Sequence, residues 1–265
     1  MKLPRSTAVV PHLEILPEAG STNDEMVAKA TGLPDFSVIV TGSQTAGRGR
    51  LGRVWVAPPG ASLAISVLLR PVLPGGQPLE LSHFGWLPLI AGVAMTRAVQ
   101  SLVEPERVGL KWPNDVQVDG LKISGLLAEL LPGGDAVVMG AGLNLSLTRE
   151  QLPTPVSTSL DLAGVSLAGD ELADAALSAY LVALRELYSD FVRLGADPVA
   201  SGLSSQLDEL CTTIGRQVKV ELPGASDLLG SAVGIDGSGR LLVRGSLDGR
   251  VTAVAAGDVT HLRYE

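Results

Sequence analysis

Consecutive strand-like segments between residues 108 and 145 constrain the fold of this chain most. They lie at 108-111, 114-118, 122-130 and 136-145, and they leave no room for a helix between them. Asp119-Gly120 is a turn signal that makes the middle two segments a hairpin. Consecutive strands with few helices indicate an α+β fold.

Flanking segments predict the remaining elements of the larger domain. Both Ser21 with Asp24 and Thr22 with Glu25 fit a capping box at the start of a short helix. Apolar periodicity also predicts a helix from about residue 86 to 103, in which Pro88 is tolerated only in the first turn. Further strands are predicted at 12-16, 37-40 and 62-69, and a long amphipathic helix at about 170-194.

From about Gly215 onward, the sequence pattern changes to short strand candidates. Short strands separated by tight turns predict a small β-barrel of about 50 residues. We therefore expect two domains, residues 1-213 and 214-265. The strands of the barrel are predicted at 217-222, 228-235, 239-245 and 250-255.

Charge and composition exclude several classes of protein. A net charge of -8 over 265 residues argues against a general binder of nucleic acid or of membrane surfaces. The single cysteine, Cys211, has no internal disulfide partner, and the first residues lack the pattern of a signal peptide. No apolar run reaches the roughly 18 residues of a membrane span. We therefore expect a cytoplasmic protein with no DNA or membrane partner.

A basic, glycine-rich segment stands out in this acidic chain. Three arginines and three glycines fall within residues 47-53. Glycines let the backbone approach a ligand closely, and arginine binds carboxylate and phosphate with two hydrogen bonds. The segment therefore predicts an anion-binding loop between strands, although a solvated surface loop has the same composition. The standard phosphate-loop motif is absent, and the G-x-G-x-x-G match lacks the strand-to-helix context.

Two lysines lie among strand candidates, where an ammonium group is costly to bury without an anion. They are Lys111, in Lys-Trp-Pro-Asn-Asp (111-115), and Lys122, and the chain has only five lysines. A bound anion is one interpretation. The alternative is that Trp112 and Pro113 pack, the next two residues form a turn and the lysines are exposed. Residues 140-145 are either a close-packed strand or part of a ligand wall.

Taken together, these segments resemble the biotin-protein ligase family. The family pattern appears here as Ser21-Thr22-Asn23, Gln44 to Trp55, Lys111 to Asp115, Lys122 with Gly125 and Glu129, and Gly140 to Asn144. The resemblance runs from about residue 12 to 262 and includes Thr158-Ser159-Leu160 and Gly257-Asp258-Val259. It implies a mixed-sheet catalytic domain with a class II synthetase or biotin-lipoate ligase fold, followed by an SH3-like β-barrel.

The resemblance also assigns roles to individual residues. The catalytic residues that it implies are Lys122, Arg48, Lys111 and Asp115. The biotin-binding residues that it implies are Ser21, Thr22, Asn23, Gln44, Arg48, Gly49, Arg50, Lys122 and Gly125. The ATP-binding residues that it implies are Arg48, Arg50, Arg53, Trp55, Lys111, Asn114 and Asn144.

The implied reaction is ATP-dependent. Biotin is activated as biotinyl-5'-AMP, with Mg²⁺ accompanying the ATP phosphates, and is transferred to a lysine of a biotin carboxyl carrier domain. Because water destroys a mixed anhydride, we interpret residues 47-55 as a lid that becomes ordered over the adenylate. Only about 20 residues precede Ser21, which favours a short form without the winged-helix DNA-binding domain of some members. Monomer and dimer both fit the sequence.

Two other functions remain open from the residues alone. A lipoate or octanoyl ligase of the same superfamily has a similar fold, but we would not expect it to carry the full arginine-glycine loop with Lys111 to Asp115. An RNA-binding or regulatory adenylate-binding protein would use the same loop without catalysis. The nine aromatic residues, three each of Phe, Trp and Tyr, leave few platforms for stacking bases.

Overall fold

The computed structural model describes residues 1-221, 227-255 and 258-261. Its helices are α1 Pro4–Ala8, α2 Thr22–Lys29, α3 Trp86–Gln100, α4 Gly169–Arg193 and α5 Leu203–Leu210. The first nine strands are β1 Leu13–Leu16, β2 Val38–Thr41, β3 Gly47–Arg48, β4 Val54–Trp55, β5 Ser62–Leu69, β6 Val108–Lys111, β7 Asp115–Val118, β8 Leu121–Leu130 and β9 Val137–Asn144. The last five are β10 Gln217–Glu221, β11 Leu228–Ile235, β12 Leu241–Gly245, β13 Val251–Val254 and β14 Asp258–His261.

A seven-stranded mixed sheet forms the centre of the larger domain within the described residues. Its strand order is β1-β2-β5-β9-β8-β7-β6. The β1-β2 pair is parallel, and the other neighbours are antiparallel. The run of strands between residues 108 and 145 forms the β6-β7-β8-β9 meander, and the turn at Asp119-Gly120 joins β7 to β8 as predicted.

The side chains of β5 alternate between the two faces of the sheet, and their neighbours show how these faces differ. Ile65 and Val67 pack into the main core against α3 and α4, whereas Leu68 faces the opposite side with Ile39 and Met26 of α2. Because α2 has only eight residues, it covers part of that second face. The uncovered part of this face forms the floor of a cleft.

Most of the observed helices agree with those predicted from the sequence. Ser21 is the N-cap of α2, and Pro88 lies in the first turn of α3. The predicted helix at 170-194 is α4. Sequence periodicity missed α1 and α5, which have five and eight residues and are therefore shorter than a helix whose periodicity is easily detected. No helix within the described residues is both long and apolar enough to span a bilayer.

The C-terminal strands form a separate antiparallel sheet in the order β13-β12-β11-β10-β14. The first four strands agree with the predicted ones within the described residues. The fifth, β14, was not predicted as a strand, and it pairs with β10. The prediction for Gly257 and for the end of the strand at Leu222 lies outside the described residues.

The N-terminal helix is tied to the long helix α4 by one buried carboxylate. Asp174 is 4% exposed, and it accepts hydrogen bonds from the Ser6 hydroxyl at 2.7 Å and from the backbone N–H groups of Ser6 and Arg5 at 2.9 Å each. Burial alone would raise the pKa of Asp174, but these donors outweigh it and lower the pKa below its ordinary value. The charged form of Asp174 therefore stabilises this contact.

Candidate active site

A cleft of about 1010 Å³ lies on the uncovered face of the central sheet. Every residue that the sequence predicted as catalytic, biotin-binding or ATP-binding lines it. These residues come from the start of α2, the hairpin of β3 and β4, the β6-β7 corner, and strands β8 and β9. Segments more than a hundred residues apart in sequence thus meet in one site.

The N-terminus of α2 forms one end of the cleft. The Ser21 hydroxyl caps the helix by accepting from the backbone N–H of Asp24 at 3.5 Å. The backbone N–H of Thr22 donates to Oε1 of Gln44 at 2.9 Å, so the Gln44 side chain is fixed against the helix start. Buried polar groups that are already held in place can recognise a polar ligand with little loss of conformational entropy.

Asn23 is the polar centre of this end of the cleft. It is 5% exposed. Its Oδ1 accepts from the Ser66 hydroxyl at 2.6 Å, and its Nδ2 donates to Oε2 of Glu129 at 2.5 Å. A side chain at Gly140 would collide with the Asn23 amide. The missing side chain at Gly140 therefore leaves the space that Asn23 occupies.

The basic segment, which the sequence predicted as a loop between strands, contains a short hairpin. Gly47 and Arg48 of β3 pair with Trp55 and Val54 of β4, and the backbone N–H of Gly49 donates to the carbonyl of Arg53 at 2.7 Å. The difference arises because the strand pairing has only two residues on each side, which is too short for alternation to be visible in the sequence.

Arg48 is held by carboxylates in this structure. Its Nη2 lies 2.5 Å from Oδ1 of Asp24 and 3.2 Å from Glu129. The guanidinium of Arg48 is about half exposed, so these ion pairs are weak and can be exchanged for a bound anion. Arg48 can therefore move from acidic side chains to a ligand phosphate or carboxylate.

Arg50 joins the hairpin to the β6-β7 corner. Its Nη1 donates to Oδ1 of Asn114 at 3.0 Å, and the amide of Asn114 donates to the carbonyl of Leu126 on β8 at 2.8 Å. Gly49 and Arg53, on either side of Arg50, also line the cleft. The hairpin thus lies across the corner that carries Lys-Trp-Pro-Asn-Asp.

Lys122 and Asp115 form an ion pair on the floor of the cleft. Nζ of Lys122 lies 2.6 Å from Oδ1 of Asp115, at an angle outside hydrogen-bond geometry. Gly125 lies directly beside this pair, since a Cβ there would be only 3.0 Å from Nζ. The backbone N–H of Lys122 donates to the carbonyl of Val156 at 2.8 Å. An ammonium group is therefore held next to open space.

Trp55 packs its indole ring on the bare backbone of β9. A Cβ at Gly142 would overlap the Trp55 ring, and the Nζ of Lys122 lies 6.0 Å from the ring centroid. The indole N–H is buried and has no hydrogen-bond acceptor among the described residues. Trp55 is therefore positioned as an aromatic wall beside the cationic part of the cleft.

Lys111 and Asn144 lie at the margins of this cleft. Lys111 is the last residue of β6 and pairs in register with Asp115. Asn144 ends β9, is 3% exposed, and donates from Nδ2 to the carbonyl of Thr158 at 2.8 Å. That bond fixes Asn144 against the wall formed by the loop that contains Thr158.

Several residues of the site were not assigned a role from the sequence. Ser66 and Glu129 organise Asn23, and Thr212, Arg216 and His261 bring the C-terminal sheet to the cleft. A serine in the middle of the mostly apolar strand β5 is a signal that could have identified Ser66. No local signal identifies the C-terminal residues, because their approach depends on how the two sheets pack.

Comparisons with known proteins decide the family. Residues 20–144 match the model of the biotin/lipoate A/B protein ligase family, and residues 213–262 match the biotin protein ligase C terminal domain. The biotin--[acetyl-CoA-carboxylase] ligase of Mycobacterium tuberculosis is 37% identical over 255 residues, which are 95% of this chain and 89% of that protein. This chain belongs to the biotin protein ligase family. The family and the enzyme class predicted from the sequence are thereby confirmed.

Solved structures of the family have the same fold. The biotin protein ligase from Aquifex aeolicus in complex with biotin and ATP superposes with a TM-score of 0.72 and is 25% identical, over 96% of this chain and 100% of that one. The Leishmania major enzyme in complex with biotinyl-5-AMP gives a TM-score of 0.61 at 27% identity, over 93% and 99% of the two chains. The mixed-sheet fold with a small C-terminal sheet is confirmed.

Proposed function

We propose that the cleft carries out both half-reactions of a biotin protein ligase. Biotin and ATP form biotinyl-5'-AMP and pyrophosphate, and the biotinyl group then passes to a lysine of a biotin carboxyl carrier domain. One observation carries the proposal: a preformed polar pocket at Ser21 to Asn23 and a set of cations at Arg48, Arg50 and Lys122 line the same cleft.

The polar end suits the head of biotin. Biotin has an apolar bicycle with a polar ureido ring, and such a ligand needs a few fixed hydrogen-bonding groups within an apolar wall. Ser21, Thr22, Asn23 and Gln44 supply those groups, and Gly125 leaves room for the carboxylate tail to reach Lys122. Glu129 holds Asn23 in place, and we assign it a supporting role.

The cationic end suits adenylate formation. A carboxylate oxygen of biotin attacks the α-phosphorus of ATP, the P–O–P bridge breaks, and pyrophosphate leaves. Two anions must come together for this step, and positioned cations offset their repulsion and the charge that develops. We assign this role to Lys122 and Arg48, with Lys111, Arg50 and Arg53 on the remaining phosphates. Asn144 supports the nucleotide wall, and Trp55 packs beside the adenine.

Magnesium would enter with ATP rather than bind a dedicated protein cage. The described residues contain no cluster of three or more acidic, histidine or cysteine side chains that could hold a metal. Mg²⁺ bound mainly by substrate phosphates needs only one or two oxygen ligands from the protein. Oδ1 of Asn114, beside Arg50, is the oxygen that fits this position. The ion would offset negative charge on the phosphates.

Transfer requires a neutral lysine amine from the carrier. The amine attacks the carbonyl carbon of the mixed anhydride, AMP leaves, and the amine loses one proton. We propose that Asp115 orients this amine or positions Lys122, since its carboxylate lies at the floor of the cleft beside Gly125.

We further propose a domain division between residues 213 and 214. We also propose a cytoplasmic location, because the buried Cys211 is unpaired.

Isotope exchange between pyrophosphate and ATP tests the proposed function. We expect the full chain to catalyse exchange only when biotin is added, and then to label a purified biotin carboxyl carrier domain. Lipoate and octanoate serve as matched carboxylic acids for the alternative ligase. Exchange driven by either of them and not by biotin would replace the proposed substrate. Nucleotide binding without any exchange would indicate a regulatory adenylate-binding protein.

A further inference from the structure

Two buried tryptophans of the larger domain donate hydrogen bonds to one turn of the C-terminal sheet. Nε1 of Trp86 lies 2.9 Å from the carbonyl oxygen of Gly237, and Nε1 of Trp112 lies 3.3 Å from that of Gly239. The two side chains are 1% and 2% exposed. The turn at 236-240 is therefore inserted between α3 and the β6-β7 corner.

This turn is fixed by its own aspartate. The carboxylate of Asp236 accepts from the backbone N–H groups of Ser238 at 2.9 Å and Arg240 at 3.0 Å, and from Nε of Arg240 at 2.7 Å. Desolvation alone would raise the pKa of Asp236, but these donors together lower it below its ordinary value. The turn thus offers two preset carbonyl groups to the tryptophans.

Trp112 has a second anchor in Thr213. The backbone N–H of Trp112 donates to Oγ1 of Thr213 at 3.0 Å, and Nε2 of His261 lies 3.1 Å from the same oxygen. Thr213 is fully buried, with 0% of its surface exposed. Just before it, the backbone N–H of Thr212 donates to the carbonyl of Leu110 at 2.9 Å. Residues 211-213 therefore run along β6 as a support for its outer edge.

We propose that Thr213 is a positioning residue for the nucleotide half of the active site. Its hydroxyl fixes the Trp112 amide, and the residues on either side of Trp112 include Lys111 and Asn114, which face the cleft. Polar groups that are set in place before the substrate binds lower the cost of binding it. This inference rests on the proposed function, since it assumes that these two side chains meet ATP.

The biotin half of the cleft has separate supports. Thr22 and Asn23 are held by Gln44, Ser66 and Glu129, and within the described part of the chain none of these five residues forms a hydrogen bond with the C-terminal sheet. Loss of the Thr213 hydroxyl should therefore weaken ATP binding and leave biotin binding unchanged. A merely structural role would weaken the binding of both substrates.

Thr213→Val removes the hydroxyl at nearly constant shape, and Thr213→Ser keeps it. With saturating biotin, we expect the KM for ATP in pyrophosphate exchange to rise about tenfold in Thr213→Val, since a buried N–H loses its acceptor. Thr213→Ser should have a KM for ATP within about twofold of wild type, because it keeps the hydroxyl. Calorimetry with biotin alone should give the wild-type Kd for both variants.

Thr96→Val is the matched control, because it removes another fully buried threonine hydroxyl, bonded to the Gly92 carbonyl inside α3. It should leave the KM for ATP within about twofold of wild type. If Thr213→Val fails to fold, Thr213→Ala replaces it, because it also removes the hydroxyl that accepts from the Trp112 N–H, and the same increase in KM for ATP without loss of biotin affinity is expected.

An unchanged KM for ATP would overturn the inference, as would equal losses of ATP and biotin affinity. Failure of Thr213→Ser to restore the KM would also contradict it. A wild-type chain without biotin-dependent exchange would overturn the proposed function and this inference together. Exchange in the wild type with no effect of Thr213→Val would overturn the inference alone.

Discussion

At the scale of single residues, Lys122 and Asp115 show what the sequence could and could not supply. A lysine within a strand candidate indicated a buried cation that needs an anion. Its partner depended on strand register, because β7 and β8 are irregular between Val116 and Gln117, and one extra residue of β8 lies there. Such a bulge is invisible in the alternation of apolar residues, so the pairing of Lys122 with Asp115 could not be read from the strand pattern.

Replacement of Lys122 by alanine should abolish adenylate formation. The ammonium group offsets charge in the transition state, so the rate of biotin-dependent pyrophosphate exchange should fall at least tenfold, as expected for a lost charged contact of about 1.5-3 kcal/mol. Lys219→Ala is the control, because Lys219 is also paired, with Glu221 and Asp227, and does not line the cleft. More than about a tenth of the wild-type rate in Lys122→Ala would refute this role.

At the scale of elements, long periodic segments were predictable and short ones were not. β5 and α4 agree with their predicted ranges to within a residue, because each presents a continuous apolar pattern over several turns or pleats. α5, the hairpin of β3 and β4, and β14 are short. Their conformation depends on tertiary contacts, such as the pairing of β14 with β10.

The hairpin at residues 47-55 should become more protected from hydrogen exchange when biotin and ATP are bound. Without substrates, it is closed by a two-residue ladder and by exchangeable ion pairs of Arg48, so opening costs little free energy. Bound phosphates would give Arg48 and Arg50 stronger partners. Mass spectrometry should show slower exchange in this segment, whereas the exposed turn at 246-249 should not change. Equal exchange with and without substrates would rule out a lid.

At the scale of the whole molecule, two long-range contacts determine how the parts assemble. Asp174 joins the N-terminal helix to α4 across 168 residues of sequence, and the turn at 236-240 joins the C-terminal sheet to α3 and the β6-β7 corner. One apolar core contains side chains of both sheets, Leu110 and Val243 among them. Neither contact was predictable, since each depends on packing between elements that are distant in the chain.

We expect the free energy of unfolding to fall at acidic pH, because Asp174 loses its charge there. Its pKa in the folded protein lies below its ordinary value of 3.8, so its contribution is complete above that value and is lost as the pH falls through the folded pKa. Asp174→Asn should therefore lower the free energy of unfolding at pH 7 by about 1-3 kcal/mol, and the difference from wild type should shrink below pH 3.8. Urea titrations at several pH values measure it.

Asp190→Asn provides the comparison for that measurement. Asp190 is 46% exposed and forms a surface pair with Arg193, so its replacement should change stability by less than about 0.5 kcal/mol at every pH. A loss in Asp174→Asn that is independent of pH would mean that the carboxylate charge is not what stabilises the contact.

The different surroundings of the three tryptophans give the protein an optical probe of its own cleft. Trp86 and Trp112 are enclosed and bonded to the same turn, so the environment of their excited states stays constant while that turn is in place. Trp55 rests on Gly142 with its indole N–H unbonded among the described residues. We therefore expect Trp55, which lines the cleft, to give the larger change in intrinsic fluorescence upon addition of substrate, and the emission of the other two tryptophans to report whether the two sheets remain docked.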